Sequence, residues 1–155
     1  MRVNIDQLSN DAYVWIFGIS PSLDTQKSDA LMRQVNTFLE NWAAHGVPIP
    51  GAAEVKEGSF LVVAADEHRE KSGCSIDRMF GTLRQLERDL DVAILDSNRI
   101  FFRDRDEVRA VPRSDFRNAA TLATPVFDVT VERLGDVREG AWVKPAAESW
   151  HRQLL

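Results

Sequence analysis

At 155 residues, 44% apolar and 28% charged, the chain has the size and composition of one globular domain and is too short for two. Its net charge of −5, from 24 acidic against 19 basic residues, gives no general electrostatic reason to bind nucleic acid or an anionic membrane. One cysteine, Cys74, excludes an intramolecular disulfide and offers no CxxC spacing for zinc.

Tyr13 to Ile19, YVWIFGI, is a β-branched and aromatic run closed by Ser20-Pro21-Ser22, which predicts a strand and a turn. From about Asp24 to His45 the residues Leu31, Val35, Phe38, Leu39 and Trp42 recur at helical spacing, with Asp24 as cap and Gly46 placed to end the helix. AAEVKEGSFLVVAAD then predicts two strands meeting at Glu57-Gly58, the first alternating and the second apolar throughout. A second helix carries Ile76, Met79, Phe80, Leu83, Leu86 and Leu90 on one stripe; Ser75 is its expected N-cap, Asp77 faces its dipole, and it should end near Asp91. Arg99 to Pro112, RIFFRDRDEVRAVP, predicts a strand, a charged turn and a strand. A short helix capped by Ser114 and a strand in VFDVTV follow, and Trp142 and Trp150 in the tail are expected to pack onto the domain.

This order predicts an α+β fold, a ferredoxin-like βαββαβ sandwich with an extra strand, in one domain over 1–155 with its core at about 11–112 and a C-terminal extension over 113–155. The expected sheet order is fourth strand, first, third, second, with YVWIFGI and SFLVVAA central and AAEVKE at an edge. Two helices cover one face only. The other should be hidden by the C-terminal third or by a second copy in a homodimer. No stretch reaches the ~20 apolar residues of a membrane span, and MRVNIDQLSNDAYVWIFG lacks a basic region followed by a long apolar one, so a cytoplasmic protein is expected.

The ferredoxin-like path brings the end of the first helix, the end of the third strand and the start of the second helix to one end of the domain. His45, His68 and Cys74 should meet there with Asp66 and the Asp104-Arg105 turn, as a thiol nucleophile with an imidazole base or an irregular metal site. The plainer alternatives are a buried structural thiol at Cys74, a helix-terminal His45, a solvated His68 in DEHREK, and a packing role for His151. The phosphate-binding patterns G-x-x-x-x-G-K-[ST] and G-x-G-x-x-G are absent, which excludes a P-loop ATPase. The aromatic strands lack the stacking pattern of ferredoxin-like RNA-binding modules, and Arg99, Arg103, Arg105, Arg109 and Arg113 alternate with acids as a salt-bridged hairpin would.

The segments W-A-A-H-G (Trp42 to Gly46), G-C-S-I-D (Gly73 to Asp77) and S-W-H (Ser149 to His151) resemble a family of small bacterial proteins labelled "ABC transporter ATPase". The likeness runs from VWIF to the final leucines. It implies a single domain and no mechanism, and singles out Trp42, His45, Gly46, Cys74, Ser75, Asp77, Trp150 and His151. The sequence thus predicts a module that binds a small ligand or another protein, with no cofactor and no metal; the alternative is a cysteine-dependent enzyme using Cys74 and a nearby histidine. Candidate catalytic residues are Cys74, His45 and His68, and candidate ligand contacts are Asp66, Ser75, Asp77, Trp42, Trp150 and His151.

Overall fold

A computed structural model describes residues 1–69 and 71–155. The chain folds as α+β, with β1 (Tyr13–Gly18), β4 (Gly51–Lys56) and β5 (Phe60–Ala65) in an antiparallel sheet ordered β1-β5-β4. Every residue of β5 is buried, as its unbroken apolar sequence requires of a strand covered on both faces. Alternation divides the burden. Phe17, Leu61 and Val63 face α1 (Thr25–Glu40) and α2 (Gly73–Leu90), whereas Val14, Ile16, Phe60 and Val62 face the opposite way.

Each long helix buries the stripe that its spacing predicts, Leu31, Val35 and Leu39 in α1 and Met79, Leu83 and Leu86 in α2. Asp24 caps α1 by accepting from the Lys27 amide at 2.8 Å. The helix stops at Glu40, not His45. Residues Ala43–Ala44 (β2) and Val47–Pro48 (β3) form a small hairpin whose two turn residues, His45 and Gly46, both have positive φ, +52° and +78°. That is the backbone of a two-residue hairpin turn, so His-Gly here reverses the chain instead of ending a helix.

The N-cap of α2 is also earlier than expected. Ser72 Oγ accepts from the Ser75 amide at 3.1 Å, while the Ser75 hydroxyl donates back to the Ser72 carbonyl at 2.7 Å. Ser75 is therefore the third helical residue, and it is buried because the Trp42 indole N–H donates to its carbonyl at 2.9 Å. At the other end Asp91 takes a left-handed conformation, φ +52°, and closes the helix where the sequence placed its end.

The fourth strand departs from the ferredoxin-like order. β6 (Arg99–Asp104) does not lie beside β1; it forms a second sheet with β7 (Glu107–Pro112), β8 (Pro125–Phe127) and β9 (Val143–Pro145), ordered β7-β6-β8-β9. Its own side chains supply the reason. Ile100 and Phe102 on one face and Phe101 on the other are all buried, so β6 needs cover on both sides and obtains it as an inner strand between the first sheet and the C-terminal segment. The outer edge of β1 is met instead by Glu132, whose carbonyl accepts from the Val14 amide at 3.1 Å, and by Ala93, which exchanges two hydrogen bonds with Ser20.

The second sheet fills the face that the two helices leave open. Phe60 packs against Phe101, Phe127 and Trp142 with ring centroids 4.7 to 5.3 Å apart, an aromatic cluster that joins the sheets. The sheet face offered to a second copy is thus occupied from within the chain, and a homodimer would need another surface. The outer side of the second sheet is closed by Phe116 of a short helix, α3 (Phe116–Ala119), by Ala146, and by Trp150 and Leu154 of the last 3-10 turn. Trp142 and Trp150 both dock, as expected of tail tryptophans.

A candidate ligand cavity at the start of the sixth strand

The end of the domain expected to carry chemistry assembles only in part. Cys74, the second residue of α2, is exposed, so it is neither a buried structural thiol nor a thiol enclosed in a cleft. His45 lies at the exposed tip of the β2–β3 turn and His68 on an exposed loop, where it sits 3.3 Å from Glu67. Asp66 accepts from the His68 amide at 2.7 Å and its carbonyl receives the Lys71 ammonium, a loop-closing role. Asp66, Glu67 and His68 bring ligand atoms within 4.8 Å of one another, but Glu67 is already held by the Ser9 hydroxyl at 2.7 Å.

The Asp104-Arg105 turn belongs to the other end. Arg103 beside it makes a two-pronged bridge to Glu57 at 3.0 and 2.9 Å, and Glu57 lies at the opposite end of β5 from Asp66. Trp42 and Ser75 are bound to each other as described, so both serve the helix start. Asp77 is exposed on α2.

Two of the expected ligand contacts, Trp150 and His151, do meet at a cavity. It measures about 220 Å³ and opens between the end of β1, the start of β6, the residues after β8, and the C-terminal 3-10 turn. Gly18 forms part of its wall because a side chain there would strike Phe101: an ideal Cβ would stand 2.3 Å from the ring. Phe101, Phe127 and Ile100 make the wall apolar, and Trp150 supplies a flat aromatic surface.

The polar groups are arranged around the tryptophan. Trp150 stacks on His151 with centroids 3.9 Å apart, donates its indole N–H to Asp128 Oδ1 at 3.3 Å, and lies under the Arg113 guanidinium at 5.4 Å. Asp128 is itself buried. Burial alone would raise its pKa, but the Thr130 hydroxyl and amide and the Lys144 ammonium, 3.2 Å away, outweigh it and hold the carboxyl below its ordinary value.

His151 is 1% exposed, and burial drives its pKa down to about 4, which leaves the ring neutral. Its Nδ1 lies 2.6 Å from Ser149 Oγ, a bond in which the hydroxyl donates or accepts according to the ring's tautomer. Among the described residues no buried side-chain nitrogen or oxygen lacks a hydrogen-bond partner.

A larger groove of about 690 Å³ runs along the solvent side of α1 and α2, lined by Arg33, Thr37, Phe38 and Arg78 among others. None of its lining residues is buried, whereas the smaller cavity is walled in part by the buried side chains of Ile100, Phe101, Phe127 and His151.

Sequence reasoning missed Asp128, Thr130 and the separate position of Arg113. Its basic hairpin is salt-bridged as expected at Arg99 (Asp96, 3.1 Å), Arg103 and Arg109 (Asp104, 3.1 Å), whereas Arg113 turns to Trp150. A signal was present in VFDVTV, where Asp128 interrupts an apolar strand and calls for a buried partner. No protein-family model matches the chain, and neither a curated protein nor a solved structure does.

Proposed function

We propose that this chain is a small-molecule-binding domain whose site is the cavity at Trp150 and His151. One observation carries the reading: an apolar wall of Ile100, Phe101 and Phe127 meets the stacked Trp150 and His151 rings and the Arg113 guanidinium around about 220 Å³ of open space. The apolar walls and the few converging polar groups match what small-ligand sites use to combine affinity with orientation. A cysteine-dependent reaction at Cys74 has no comparable support, since the thiol lies exposed on the first turn of α2.

The likeness of Ser149 to His151 to the small bacterial family, and a cytoplasmic setting, belong to the same proposal. So does descent from a ferredoxin-like unit: β1, α1, β4, β5 and α2 follow its path, and only β6 has left the sheet.

Protein-observed NMR with a library of small fragments tests the reading. Binding should shift, saturably, the Trp150 indole N–H and the amides of residues 96–101, 127–131 and 149–151. Fragments that shift only the α1–α2 groove would place the site elsewhere, and a library without any saturable shift would remove the proposal.

A further inference from the structure

We propose, resting on the binding reading above, that the ligand is a small organic anion with a flat apolar body, of the aromatic carboxylate class. Charge is the first argument. Of the charged residues on the wall, Asp96 and Arg99 neutralise each other at 3.1 Å, and the adjacent Asp128 is matched by Lys144. Arg113 is left over. It has no carboxylate partner among the described residues, and its guanidinium stands over Trp150 at the cavity with a planar donor fork suited to a carboxylate.

The second argument is position. Arg113 stands at a cavity whose wall includes Ile100, Phe101, Phe127 and Val129, so a cation meets an apolar surface, and a ligand with one anionic end and an apolar body suits both.

Shape supplies the rest. An apolar cavity of about 150 Å³ accepts benzene, so 220 Å³ leaves room for one ring and a short carboxylate arm. Phe101, Phe127 and the Trp150 face would contact that ring.

Calorimetric titration of the full chain with benzoate and phenylacetate, against their neutral counterparts benzamide and benzyl alcohol, tests the class. The carboxylates should bind about tenfold more tightly than the neutral molecules, the worth of a charge-assisted contact. Arg113→Gln, a change at an exposed side chain, should remove most of that difference. Equal or tighter binding of the neutral molecules would overturn the anion class while leaving the cavity as a site. Carboxylates that fail to bind at millimolar concentration, in a protein whose cavity takes other fragments by NMR, would overturn it too. If no fragment of any class enters the cavity, the underlying binding reading falls with it.

Discussion

His151 concentrates the chemistry of the site in one side chain, and its protonation has a consequence for stability. Its ordinary pKa is 6.5 and burial lowers the folded value to about 4; Asp128 pulls the other way, while Lys144 and Arg113 reinforce the shift. As pH falls through 6.5 the unfolded chain takes up the proton first, so stability is full above about 6.5, declines between there and about 4, and loses nothing further from this group below. The loss attributable to His151 is about 3 kcal/mol. Urea unfolding across that range should show it in the wild-type protein and not in His151→Gln. A variant with the same pH dependence would assign the effect to other groups. Of the site's residues, Trp150 and His151 are singled out by the likeness of S-W-H to the small bacterial family, whereas the residues alone favour a packing role for His151. Asp128 is marked only by its break in the apolar run VFDVTV, a weak signal because one acid there looks much the same whether it is buried or turned outward.

At the scale of elements, caps and turns decide boundaries that periodicity leaves open. The apolar spacing of α1 runs on through Trp42, yet the helix ends at Glu40 and Trp42 is used differently, as a donor to the first turn of α2. Trp42→Phe removes that hydrogen bond and part of a fully buried side chain, and should cost about 1–3 kcal/mol by denaturant unfolding. The amides at the start of α2 should also exchange faster with solvent. A cost below about 0.5 kcal/mol, the range of neutral surface changes, would contradict the role given to the indole. The strands Tyr13–Gly18, Gly51–Lys56, Phe60–Ala65, Arg99–Asp104 and Glu107–Pro112 were readable because each is a run of six residues with its own turn signal. β8 and β9, three residues each, were beyond reach as paired strands, since partners far apart in sequence define them.

For the whole molecule, the informative departure is the second sheet. Pattern alone could not assign β6 to one sheet or the other, because a strand that is apolar on both faces suits any buried position. The choice depends on the tail: β9 completes the second sheet, Trp142 enters the aromatic cluster between the sheets, and Trp150 closes the outer side. Truncation after Gly140 removes all three. Losing one such tryptophan from a core costs about 3–5 kcal/mol, comparable to much of the stability of a small domain, so the truncated chain should aggregate or melt well below the full-length protein. Unchanged melting would show that the two-sheet core does not need the tail, and the cavity that the tail helps to wall would lose its structural basis.

The claim that binds these scales together is that the space at the start of β6, walled by Gly18, Phe101 and His151, is a site. Crystals of the full chain soaked with a set of small ring compounds, charged and neutral, test this most directly by where density appears. The account predicts a molecule inside the cavity, in contact with Trp150 and Phe101. Ring compounds that gather in the groove between α1 and α2, with the cavity empty in every soak, would contradict it.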